Sequence, residues 1–245
     1  MWLDDPYRAT RDVDLLASGP QDDDAIHATI ETICAVQCPE DGLRFDLTQL
    51  KIGPIRAEEE YSGKRVAFSA WLGKAQIRVQ VDFGFGDAMA TGPDDVEYPT
   101  ILEELPAPKI RAYPRVVSVA EKFEAMVKLE VRNSRMKDFH DVWALSGTFS
   151  FDGRELSDAV VACFERRQTE LSEVMPAVLT AAFYQQTDLQ ARWSAYLRGS
   201  AMRSSPPPQF GEIGERIRRF LLPIRDGIVD EVRVVAQWFP GGPWR

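Results

Sequence analysis

The hydrophobic period of this chain changes once, and that change limits the folds open to it. Up to about residue 85, apolar and polar residues alternate in "LRFDLTQLKI", "RVAFSAWL" and "QIRVQVDF", the period of half-buried strands. The last two are separated only by "GKA", which suits a hairpin turn. One early segment, "QDDDAIHATIETICAVQ", has helical spacing, with Asp22, Asp23 and Asp24 at its electropositive start. From about residue 115 apolar residues recur every three or four positions in "SVAEKFEAMVKLE", "NSRMKDFHDVWALS", "DGRELSDAVVACFERRQTEL", "DLQARWSAYLRG" and "FGEIGERIRRFLLPI". Ser118 with Glu121, and Asp152 with Glu155, have the spacing of helix-capping pairs. The order predicts an α+β chain, a mixed sheet followed by a helical domain. The switch falls in "GFGDAMATGPDDVEYPTILEELPAPKIRAYP", whose Gly and Pro content predicts a loop. The expected divisions are an α/β core over 1–105, a helical domain over 106–200, and a linker, helix and aromatic tail over 201–245.

Into the strand-like half the chain sets carboxylates that a buried strand does not need. In "RATRDVDLL", Asp12 and Asp14 are two residues apart, so both point to one face of a strand while Val13 and Leu15 face the other way. Two carboxylates that close repel each other, and a cation between them relieves the conflict. Asp82, in "QVDFGFGD", is again an acid between apolar strand residues. Were its strand to lie beside the first, three acids would gather at one sheet edge. Two-metal phosphoryl and nucleotidyl transfer uses that arrangement, because Mg²⁺ prefers hard oxygen ligands from a few carboxylates. Taken singly, each acid has a plainer alternative as a turn or capping residue.

The helical half offers Lys122, in the first turn of its helix, either as a solvated flank or as a cation able to neutralise triphosphate charge. Asp138 and Asp141 share a helical face at i, i+3, and either could orient Lys122 or an attacking hydroxyl. His140 between them suits packing, with an acid–base role left open.

Together these stretches resemble a family. "RATRDVDLL", "QVDFGFGD", "YPTILEELPAPKIRAYPRVVSVAEKFEAMVKL", "NSRMKDFHDVW" and "FERRQT", in this order from residue 8 to about 170, are similar to the nucleotidyltransferase-like toxins of type IV toxin–antitoxin and abortive-infection systems, the AbiEii/AbiGii group. The resemblance implies a nucleotidyltransferase core of the polymerase-β type followed by a helical domain. It also implies Mg²⁺, as one ion or a pair, held by Asp12, Asp14 and Asp82, with an NTP as substrate. Lys122 matches the family's essential lysine and Asp138 the acid of the following helix, and Arg8 and Thr10 fall in the matched stretch as nucleotide-binding residues with Lys122. An antitoxin protein is the implied partner, and the 3′ end of tRNA an implied acceptor of the transferred NMP. In the family a Gly-Gly or Gly-Ser turn, which holds phosphates through backbone N–H groups, precedes the paired aspartates. This sequence has only a few residues before Arg8, so the resemblance predicts an N-terminally incomplete sheet. Transfer is then conditional on a chain complete enough to bind NTP. The other function open to it is a non-catalytic nucleotide- or partner-binding remnant of the same fold.

Composition sets the outer limits. A net charge of −9 argues against a general nucleic-acid coat, although basic residues concentrate in the helical half, from Arg111 to Arg167 and from Arg216 to Arg225. Three cysteines make an odd, low count that predicts a reducing cytoplasm rather than a disulfide scaffold. Cys34, Cys38 and His27 are too few for structural zinc and are expected to be small or packing residues of one helix. No apolar run reaches the ~20 residues of a membrane span, and no membrane partner is expected.

Overall fold

A computed structural model describes residues 13–55, 63–85, 92–100, 106–199 and 206–245. They form two compact units, 13–85 and 92–245.

In the first unit, strand β1 (Val13–Ala17) leads through helix α1 (Asp23–Cys34) to three long strands, β2 (Leu43–Pro54), β3 (Lys64–Leu72) and β4 (Ala75–Phe85). Asp22 caps α1, its carboxylate accepting the Ala25 N–H at 2.9 Å. The four strands make one sheet in the order β1-β4-β3-β2, parallel only between β1 and β4. Between β3 and β4 lie only Gly73 and Lys74, and Gly73 takes φ +59°, the left-handed backbone that tight hairpins require. Alternation divides the sheet into two chemically different faces. Val66, Phe68, Val81, Phe83 and Phe85 are buried with Ile26 and Ile30 of α1, while Arg65, Ala67, Ser69, Arg78, Gln80 and Asp82 alternate with them and face the other way. Asp14 stands on that polar side too, because it pairs with Asp82 in register.

The second unit begins with a surprise for a segment whose composition predicts a loop. β5 (Asp94–Glu97) and β6 (Lys109–Ala112) form an antiparallel ribbon. Its register sets Asp95 opposite Arg111 and Glu97 opposite Lys109, so opposite charges face each other across a pair too short to show a period. Helices α2 (Arg115–Leu129), α3 (Met136–Thr148), α4 (Gly153–Arg166), α5 (Ala181–Tyr184), α6 (Thr187–Gly199) and α7 (Phe210–Val229) follow, with the two-residue strands β7 (Phe151–Asp152) and β8 (Gln237–Trp238) paired to each other. The N-terminus of α2 departs from expectation. It starts at Arg115 after Pro114, without a side-chain cap, so Ser118 lies inside the helix and Glu121 turns to Arg167 instead. α4 keeps its predicted cap, Asp152 accepting from the N–H groups of Arg154 and Glu155.

All the longer helices of this unit share one core. Phe123 of α2, Phe139 of α3, Phe164 of α4, Trp193 of α6 and Phe220 of α7 are buried together. Phe139 stacks on Phe183 and meets Tyr184 and Phe210 edge-on. Gly214 lets α7 lie directly on the ring of Tyr184, since any side chain there would overlap that ring. The aromatic tail belongs to this core as well: Trp238 is fully buried and donates to the Ser146 carbonyl at 2.6 Å, and Trp244 donates to Phe220 at 3.0 Å. Among the described residues no helix is long and apolar enough to cross a membrane.

Candidate functional site

On the polar face of the sheet three charged residues stand in one transverse row. β1 pairs with β4 so that Asp14 lies across from Asp82, and β4 pairs with β3 so that Asp82 lies across from Arg65. Neighbouring strands are about 4.8 Å apart, so the row brings two acids and a guanidinium side by side. On β2 the row ends at Gly53, which carries no side chain. Asp82 is buried and Asp14 exposed, as their places on a central and an edge strand dictate. Arg65 holds Asp82 with a two-pronged grip, Nε donating to Oδ1 at 2.8 Å and Nη2 to Oδ2 at 2.6 Å. Such a bidentate pair is the strongest common form of a carboxylate–cation contact.

The donor chemistry of this row fits a hard divalent cation. Asp14 and Asp82 stand in register on neighbouring strands, and a cationic group, the Arg65 guanidinium, already rests against Asp82. The pair is not a full ligand set by itself. Among the described residues no group of three or more His, Cys, Asp or Glu side chains lies close enough together to hold a metal. Asp12, the third acid expected from sequence, lies outside the described residues, as do Arg8 and Thr10.

The other candidates belong to the helical unit. Lys122 on α2 pairs through Nζ with Oδ2 of Asp141 at 3.2 Å, and Asp141 is buried on α3. Asp138, one turn earlier on α3, is also buried, but its partner is Arg135, whose Nε lies 2.7 Å from Oδ2. Of the two acids that share this face, Asp141 is therefore the one that meets Lys122. His140 packs between aromatic rings, its Nδ1 3.0 Å from the Tyr196 hydroxyl, with Trp143 and Trp193 alongside.

Two groups were not singled out from sequence. Arg65 is the second residue of β3, where an arginine is unremarkable until register sets it beside Asp82. Glu124, buried on α2, accepts from Arg167 Nη1 at 3.0 Å and from the Thr169 hydroxyl at 2.5 Å, so "FERRQT" returns a cation and a hydroxyl to α2. Burial and the acids Glu121 and Glu124 act on Arg167 in opposite senses, and the net result holds its charge more firmly than usual.

Most of the arginines that form a basic run in the sequence are turned to internal use. Arg115 lies over the Phe149 ring at 4.3 Å and Arg216 over the Trp143 ring at 4.6 Å. Arg218 donates to the Leu179 carbonyl, and Arg225 to the carbonyls of Ser172 and Glu173. Lys109, Arg111, Lys128, Arg132, Lys137 and Arg219 are exposed. The cysteines also differ from expectation. Cys38 is exposed beyond the end of α1, and Cys34 is half-buried at its last turn, with a thiol pushed up in pKa by desolvation.

Comparison with known proteins agrees with this architecture. Residues 1–216 match the family model described as nucleotidyl transferase AbiEii toxin, type IV TA system. The structure resembles MenT4, a nucleotidyltransferase toxin from Mycobacterium tuberculosis, with a TM-score of 0.56 at 15% identity over 88% of this chain and 69% of that one. JHP933 from Helicobacter pylori aligns with a TM-score of 0.47 at 12% identity, over 90% of this chain and 81% of its own. No curated protein sequence matches the chain.

Proposed function

Because this chain belongs to the AbiEii nucleotidyltransferase toxin family of type IV toxin–antitoxin systems, we propose that it transfers a nucleoside monophosphate from an NTP to an acceptor hydroxyl, with the Asp14–Asp82 row as the reacting centre. The observation that supports this most is their register: two acids from distant parts of the chain stand directly opposite on adjacent parallel strands, on the polar face. Asp12 completes the set in this reading. A Mg²⁺ ion bound there would neutralise phosphate charge and activate the acceptor. The acceptor oxygen bonds to the α-phosphorus as the bond to pyrophosphate breaks, and the acceptor proton passes to a carboxylate of the row. Lys122, oriented by its ion pair with Asp141, is assigned to neutralising phosphate charge, the role of the family's essential lysine. Asp138 contributes by holding Arg135 in place at the start of α3, and Arg8 and Thr10 are assigned to the nucleotide. The family implies an antitoxin as protein partner, and the tRNA 3′ end is the proposed acceptor.

The test is incubation with each labelled NTP, Mg²⁺ and total tRNA, beside the Asp14→Asn variant. Label is expected in RNA with the native chain and lowered at least a thousandfold in the variant, about 4 kcal/mol of lost transition-state stabilisation. Absence of transfer from every NTP would overturn the enzymatic reading. One observation favours a second reading, a non-catalytic nucleotide- or partner-binding protein: Asp82 already has a strong cationic partner. Nucleotide binding that ignores Mg²⁺ and survives Asp12→Ala with Asp14→Ala would establish it.

A further inference from the structure

The Arg65–Asp82 pair is unequal in a way that bears on that choice. The Asp82 side chain is 10% exposed and that of Arg65 40% exposed. A buried carboxylate needs a cation at all times, because an unpaired charge out of water is costly. A half-exposed guanidinium on a flexible stem does not need its carboxylate to the same degree, since water solvates it when it leaves. The acid is therefore the fixed member of the pair and the base the exchangeable one. Both Asp82 oxygens are engaged by Arg65. Asp14 stands in register on the other side of Asp82 from Arg65.

We infer that Arg65 is the metal-free counter-ion of the acidic row, released from Asp82 when a divalent cation binds, and that it thereby sets how tightly the protein holds metal before nucleotide arrives. This rests on the reading of Asp14 and Asp82 as metal-holding residues. The exchange has a physical rationale. Without Arg65 the row carries two acids in register, one of them buried, and like charges at that spacing destabilise both the ionised site and the sheet. With Arg65 in place the site is stable while empty, and metal has to compete for Asp82. Affinity for a bare ion is lowered accordingly.

The experiment is calorimetric titration of the full-length chain with Mn²⁺, without nucleotide. Arg65→Gln keeps a hydrogen-bonding group but removes the charge, and is expected to bind Mn²⁺ at least tenfold more tightly than the native chain. Arg65→Lys keeps the charge but loses the fork, and is expected to fall between them. Should the glutamine variant fail to fold, the lysine variant decides the matter by the same ordering. Adding Asp82→Asn to either variant is expected to abolish its gain. Equal or weaker Mn²⁺ binding by the Arg65 variants, with binding still lost in Asp14→Asn, would overturn the exchange and leave the metal site standing. No Mn²⁺ binding by any of the chains would overturn both.

Discussion

The two units answer the same problem, burying acids in a stable fold, with different resources. The helical unit buries Glu124, Asp138 and Asp141 beside a large aromatic and aliphatic core. The sheet unit buries Asp82 over a small one, in which α1 contributes Ile26 and Ile30 and the sheet supplies Val66, Phe68, Val81, Phe83 and Phe85. Its rim leaks: Val13 and Leu15 on β1 and Leu43 on β2, and at the hairpin end Leu72 on β3 and Ile77 on β4, are exposed. Buried charge in the helical unit is a cost that the surrounding core can carry. In the sheet unit it stands on a thinner base, so a buried acid there is harder to account for by structure alone. That contrast is an independent reason, apart from family, to place chemistry on the sheet.

The contrast is tested most severely in the two cores. Phe123 is fully buried on α2, with its ring centroid 5.3 Å from that of Phe164. Phe123→Ala is expected to cost about 4 kcal/mol of unfolding free energy, the usual cost of emptying a well-packed aromatic site. Phe68 in the sheet unit keeps slight exposure, and its nearest ring partner, Phe45, is only partly buried at 6.1 Å. Phe68→Ala is expected to cost about 2 kcal/mol, because a site near solvent relaxes more easily. Chemical denaturation followed by fluorescence and by far-ultraviolet dichroism measures both. Equal costs would break the claim that the sheet unit is the thinner one.

The ion pairs sharpen it at the next level. Arg167 reaches both Glu121 and Glu124, and Arg167→Ala leaves Glu124 buried with the Thr169 hydroxyl as its remaining partner among the described residues. A loss of about 3 kcal/mol is expected, because breaking a buried pair strands a charge. Arg65→Gln leaves Asp82, 10% exposed against 2% for Glu124, with a hydrogen-bonding side chain beside it, and a smaller loss of about 2 kcal/mol is expected. Thermal melts of the two variants give the comparison directly. If Arg65→Gln proved the costlier, Arg65 would be a structural clamp, and an exchangeable role would be hard to sustain.

How much of this was open to reading from sequence depends on the range of the interaction. Period alone located α1, the β3–β4 hairpin and the long helices, because each buries one face whose spacing is local. The short ribbon of β5 and β6 was not visible, since four residues hold no period and its opposed charges become neighbours only after pairing. Ser118 with Glu121 carried a capping pattern, yet Pro114 starts α2 earlier and Arg167, forty-odd residues away, claims Glu121. In the candidate site the unusual acids could be seen as polar residues in apolar strands. Their partners could not: Arg65 meets Asp82, and Asp141 rather than Asp138 meets Lys122, through register and helix packing that no local spacing encodes. The tail "QWFPGGPWR" likewise shows its aromatic residues but no period that would place Trp238 inside the helical core.

Among the buried polar groups of the helical unit that lack a hydrogen-bond partner among the described residues, the Tyr184 hydroxyl gives the smallest test. The Tyr184 hydroxyl is buried against α7 without a hydrogen-bond partner among the described residues. A stranded hydroxyl costs stability, so Tyr184→Phe is expected to raise the unfolding free energy by about 1 kcal/mol at neutral pH. Burial also pushes the phenol well above its ordinary pKa. Below about pH 10 both folded and unfolded chains keep the proton, and no pH dependence arises from this residue. Above it the unfolded chain releases the proton while the folded chain retains it, so stability falls as pH rises, by up to about 1.4 kcal/mol per unit. Tyr184→Phe removes that slope. Denaturation midpoints at pH 8 and pH 11 are expected to differ less in the variant than in the native chain. A variant less stable at both values would show that the hydroxyl is satisfied after all.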